Sequence, residues 1–235
     1  MSKEHPIPQG LNGYGYLKRA SCESCRKITQ SFENEVLRYM IWSARKHLGL
    51  GGKNKDQPKD IGVRTRSLSG EIGRVAVPHY DIPAKAMLPV FEYAPKLYGG
   101  QWPEDRMLEV RVYLDQEALT RAEAAGMHGM SVEYRGPSFL RMLAKIAHAQ
   151  AVAQLGLNGF HHFLPDFIRG VTSSDEWQTF IGGPPEPRPP ADNTVACVNV
   201  HRNDWGFLLG RIRLLGIYGA PVYDVAIGRL REAQP

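Results

Sequence analysis

Two clusters near the N-terminus carry residue types able to do chemistry. Glu4 adjoins His5 in the run Glu4-His5-Pro6-Ile7-Pro8. An imidazole changes charge near neutral pH and so can take or give a proton, and a neighbouring carboxylate can orient it or bind a cation. Further on, Ala20-Ser21-Cys22-Glu23-Ser24-Cys25 contains a CxxC pair. Thiolates at that spacing suit a soft metal, but a tetrahedral zinc needs four ligands and one such knuckle supplies two. Two free thiols are an alternative reading, and so is a redox pair, although the flanking βαβ pattern of a thioredoxin-like protein is missing. A helix opening at the cysteines would stabilise negative charge beside it.

The order "EHPIP…G…ASCESCRK" resembles the second half of an HNH endonuclease domain, in which an acid-His-x-x-Pro strand precedes a loop, a CxxC and a helix. "PSFLRMLAKIAH" (Pro137 to His148) and "GAPVY" (Gly219 to Tyr223) are similar to stretches of bacterial and phage members, so the resemblance runs over much of the chain. It implies a ββα fold gripping one catalytic divalent metal, Mg²⁺ or Mn²⁺, with His5 as general base on the attacking water. Glu4 would be a metal ligand or would support one. The metal would polarise the scissile phosphate, and Cys22 and Cys25 would hold a structural Zn²⁺. The chain departs from the pattern in three ways. No CxxC precedes Glu4, so two of four zinc ligands are unassigned. The asparagine expected shortly before the CxxC is replaced by Tyr16-Leu17-Lys18, with Asn12 earlier in the loop. Arg26 follows the second cysteine.

These residues need elements to position them. Gly and Pro punctuate Met1 to Ser21, which reads as two short extended pieces joined by a loop. Ile28, Phe32, Val36, Leu37, Met40, Ile41, Ala44 and Leu48 recur at helical spacing and predict one helix from the cysteine turn to Gly49. Glu33 and Glu35 are expected to pair with Arg38 or Lys27 along it. Gly51 to Asp60 reads as a linker, dividing residues 1–50, an HNH-like ββα-metal module, from residues 51–235, an α+β region of unassigned role. That region should hold a hairpin over Val63 to Val77, strands at Leu88 to Tyr93 and Met107 to Leu114, and a helix capped by Asp115. A buried helix over Pro137 to Leu155 and a shorter one near Phe160 to Ile168 are predicted next. Strands at Val195 to Val200, Phe207 to Leu215 and Pro221 to Ile227 close the chain, giving an α+β fold with antiparallel strands.

Composition narrows the function classes. Residues 1–74 hold 14 Lys+Arg against 7 Asp+Glu, a net +7, while the whole chain is only +5. Basic charge concentrated in one third suits a polyanion such as DNA, with Lys18, Arg19, Arg26 and Lys27 as candidate phosphate contacts; a solvated basic face is the alternative. Three cysteines do not form an even disulfide framework. No run of about 18 apolar residues and no signal-like leader is readable, so no membrane partner is expected and the chain is assigned to the cytoplasm. Gly10 to Gly15 lacks the lysine of a P-loop. Cys197 reads as core, and His161-His162 with Asp166 as a poor metal set. The first expectation is therefore a metal-dependent HNH endonuclease cutting DNA. A zinc-containing DNA-binding module without catalysis is the second. The third is a C-terminal binding region carrying an HNH remnant.

Overall fold

The computed structural model describes residues 2–50, 60–66, 69–103, 108–124, 132–184, 189–203 and 206–231. Of the expected linker over Gly51 to Asp60, residues 51–59 lie outside the described residues, and Asp60 opens a strand instead.

Strands β1 (Ser2–Glu4) and β2 (Leu17–Ser21) pair antiparallel, with Glu4 opposite Leu17, and lead into α1 (Glu23–Glu35). Cys22 is the N-cap of α1, and its sulfur accepts the Cys25 amide hydrogen at 3.4 Å. The predicted continuous helix is in fact interrupted. A π turn over Val36–Met40 separates α1 from α2 (Trp42–His47), and Gly49 ends the segment at φ +64°. The Ile41 amide bonds to the Val36 carbonyl, one residue further than in an α-helix. The widened turn leaves carbonyls free for side partners: Leu37 O accepts Arg45 Nη1 at 3.0 Å, and Tyr39 O accepts the Glu133 amide at 2.8 Å.

Two antiparallel ribbons follow, β3 (Asp60–Arg66) with β4 (Ile72–Pro78), and β5 (Lys85–Val90) with β6 (Glu109–Leu114). Helix α3 (Gln116–Ala124) starts at Asp115, whose carboxylate accepts the Ala118 amide at 2.9 Å, the cap that the sequence predicts. The long α4 (Gly136–Leu155) stops at Gly156, where φ is +74°. Phe160–His162 is not helical. It forms β7, and only Pro165–Arg169 beyond it is the helix α5. A short α6 (Trp177–Phe180) runs into β8 (Ile181–Gly182). The last sheet has the order β7, β11 (Val222–Leu230), β10 (Phe207–Leu214), β9 (Ala196–Arg202), with β8 also on β11, and every pairing is antiparallel. The architecture is thus mixed α+β with antiparallel sheets. No helix among the described residues is long and apolar enough to cross a membrane.

Helix α4 is buried around most of its circumference: Phe139, Met142, Leu143, Ala144, Ile146, Ala147 and Ala151 have no exposed surface. It lies on β9, β10 and β11 on one side and on α1 on the other. Gly210 permits the close approach, since a Cβ there would come within 2.7 Å of the Ala147 methyl. A single buried apolar cluster contains Phe32, Val36 and Met40 of the N-terminal segment together with α4 and the core strands. Each large side chain in it contributes roughly 1.5–3 kcal/mol by leaving water. Cys197, expected in the core, is half-buried on β9, and burial pushes its thiol up.

Candidate functional site

The β1–β2 hairpin, α1 and α4 together enclose a cleft of about 860 Å³. Its wall includes Glu4, His5 and Tyr16 from the hairpin segment, Arg26, Glu33 and Arg38 from the helical segment, and Lys145 from α4. Tyr16 packs by both ends. Lys3 Nζ lies 4.3 Å over its ring, and the His5 ring stands 6.0 Å away, tilted by 57°. His5 Nδ1 is buried and has no hydrogen-bond partner among the described residues. The His5 ring itself lines the cleft, and an imidazole there can exchange a proton with a bound molecule.

Lys145 dominates the floor. Its side chain is 5% exposed, and Nζ lies 2.7 Å from Glu4 Oε1 and 2.8 Å from Glu33 Oε1. The ammonium also donates to the His5 carbonyl and reaches the Pro6 carbonyl at 3.4 Å. Ser21 Oγ donates to the other Glu4 oxygen at 3.3 Å. Burial pushes the Glu33 carboxyl above the usual carboxylate range, opposed by the Lys145 charge. Glu33 is therefore not paired along its own helix with Arg38 or Lys27. Glu35 is likewise committed elsewhere, accepting Ser138 Oγ at 2.6 Å.

The cationic wall differs in part from the basic residues singled out in the sequence. Arg26 is in the cleft, bonded to Glu23 at 2.5 and 3.0 Å and to Gln30 at 2.9 Å. Such an exposed pair contributes little, so an incoming phosphate can compete for the guanidinium. Lys18 lines a different, smaller cleft of about 280 Å³, and Lys27 is exposed without lining either. The Arg19 side chain lies outside the described residues. Arg38 and Arg45 belong to the larger cleft and were not among the expected contacts. Arg45 is a clamp: Nε donates to Gly10 O at 2.6 Å while Nη1 holds Leu37 O. A Cβ at position 10 would collide with that guanidinium at 2.6 Å, so glycine is what the contact admits. The reading of α4 as a buried helix does not by itself single out Lys145. The overlooked signal is that the helix is apolar nearly all round, where any lysine must find buried partners.

The cysteines sit on the far side of Glu4. Cys25 lines the smaller cleft with Ile28, His148 and Arg169. Cys22 is exposed; hydrogen bonds from Ser24 and from the Cys25 amide and thiol lower its pKa to about 7. The bond to Cys22 sulfur, with burial, pushes Cys25 upward. Among the described residues no group of three or more His, Cys, Asp or Glu converges on a metal position. The thiols thus supply two zinc donors and no third. Glu4 is no better placed for a divalent metal, since Lys145 and Ser21 hold its oxygens. His161 is exposed, and His162 bonds to His148 at 3.0 Å and to the Leu157 carbonyl at 2.7 Å. Compared with protein-family models, curated proteins and solved structures, the chain gives no match.

Proposed function

We propose that the chain is an HNH-type nuclease acting on DNA, with the larger cleft as the seat of the phosphodiester and His5 as its general base. The observation that carries this reading is the His5 ring on the wall of a cleft that also presents Lys3, Arg26 and Arg38. In this mechanism His5 takes a proton from water, and the hydroxide oxygen bonds to phosphorus. The P–O bond to one deoxyribose oxygen breaks, and that oxygen leaves with a proton from solvent. The guanidinium and ammonium groups stabilise charge that grows on the non-bridging oxygens. Phosphate contacts of this kind confer no sequence preference.

The donor sets for the two metals that the resemblance implies are incomplete in the described residues, and no step here is routed through a metal. A tetrahedral zinc on Cys22 and Cys25 requires two further ligands. The engagement of Glu4 by Lys145 favours a second reading, a DNA-binding module without catalysis. Plasmid nicking and filter binding, measured side by side for wild type and His5→Ala, separate the two. Nicking that vanishes in His5→Ala with affinity kept supports the nuclease. Binding without nicking in either protein supports the module, and absence of both rejects DNA as the partner.

A further inference from the structure

The four oxygens around Lys145 Nζ form a cage of the kind that hard cations occupy. Glu4 Oε1 and Glu33 Oε1 approach at 2.7 and 2.8 Å, and the carbonyls of His5 and Pro6 close the other side. Two carboxylates facing one ammonium leave a surplus of negative charge when both are ionised. Carboxylate and carbonyl oxygens are the ligand set preferred by Mg²⁺ and Mn²⁺. A divalent ion would balance the two carboxylates fully, whereas the lysine balances one.

We propose that Lys145 is a resident cation occupying a latent divalent-metal site, and that its ammonium excludes the ion from the Glu4–Glu33 cage. The chain thereby carries its own positive charge beside His5. The inference concerns the same cleft as the nuclease reading but does not depend on it, because occupancy is read without DNA. An ammonium fixed on α4 also ties the His5 backbone to the helix, so charge and loop position are set together.

Manganese titration followed by electron paramagnetic resonance tests this on the full chain. Wild type should leave Mn²⁺ free at roughly millimolar concentration, and Lys145→Ala should bind one ion at least about tenfold more tightly. Adding Glu4→Gln to Lys145→Ala should abolish that gain. A wild-type protein that binds Mn²⁺ and loses it on Glu4→Gln overturns the proposal, as does a folded Lys145→Ala that binds no better than wild type. Should Lys145→Ala be unfolded without metal, Mn²⁺ is expected to restore its far-ultraviolet circular dichroism, and failure to do so at several millimolar, roughly, is equally fatal. Nicking data do not enter either outcome, so a negative result in the DNA assays leaves this one intact.

Discussion

At the scale of single residues, what an atom can do is set by the hydrogen bonds it already makes. Glu4 and His5 are neighbours in sequence but are engaged differently: the Glu4 carboxylate faces Lys145 and Ser21, while His5 Nδ1 has no hydrogen-bond partner among the described residues. The two cysteines diverge for a similar reason. Cys22 gathers three hydrogen bonds at the start of α1 and ionises near pH 7, whereas Cys25 gives up a hydrogen bond to it and stays protonated. Exposure adds to the contrast, since Cys22 is open to solvent. Iodoacetamide should therefore label Cys22 well before Cys25 at pH 7.5, and mass spectrometry of the digested protein reads the ratio. The rate at Cys22 should fall as pH drops through about 7, because the thiolate is the nucleophile. Equal labelling, or a midpoint near the ordinary thiol value, would contradict the capping geometry. Zinc added beforehand tests the other assignment of the same pair by suppressing the labelling.

At the scale of elements, α4 sets both clefts. Lys145 and His148 stand on it three residues apart, and both line the smaller cleft. The Leu157 carbonyl can only accept, so His162 Nε2 donates to it and His162 Nδ1 accepts from His148 Nε2. Burial, then charge on His162, lowers the His148 pKa to about 4. A histidine whose folded pKa lies below its unfolded value binds fewer protons when folded. Its contribution is full above about pH 6.5 and is lost as pH falls toward 4, up to roughly 3 kcal/mol. Glu33 acts in the opposite sense, since its raised pKa favours the folded state as pH falls. Comparing wild type with His148→Met isolates the histidine: the urea midpoint of the variant should drop less between pH 7 and pH 4.5. An identical drop in both proteins would remove His148 as the cause.

The same helix explains what could be read from the sequence. Its limits, the Asp115 cap and the β3–β4 ribbon follow from local signals, namely apolar periodicity, a carboxylate before a helix, and Ser69-Gly70 at a turn where φ reaches +87°. β7 and the π turn do not. Phe160–His162 becomes a strand only because Gly228–Leu230 lies beside it, far along the chain. The π turn depends on Arg45 and on residue 133, partners from other parts of the sequence. The His5 and Arg26 positions were legible for their chemistry, but the Lys145 bridge was not, since it joins residues 140 positions apart.

At the scale of the whole molecule, the excess positive charge of residues 1–74 is distributed unequally over the surface that could meet DNA. Of the lysines and arginines around the larger cleft, Lys145 is neutralised within its cage and Arg45 is committed to two backbone carbonyls. Lys3, Arg26 and Arg38 remain for an incoming backbone, Lys3 and Arg38 exposed. Each phosphate neutralised releases counterions and adds about −0.9 to the slope of log affinity against log salt. Three such contacts predict a slope near −3 for duplex DNA, shallower than the net +7 of the N-terminal third would suggest if every charge took part. Arg38→Ala should flatten the slope by about 1 and weaken binding alike for unrelated sequences, whereas Lys27→Ala should leave it nearly unchanged. Fluorescence anisotropy on a labelled duplex across a salt series measures both. A slope far steeper than −3, or a larger loss from Lys27→Ala than from Arg38→Ala, would move the DNA path off the cleft and onto the outer face of α1, where His5 could not reach the phosphate.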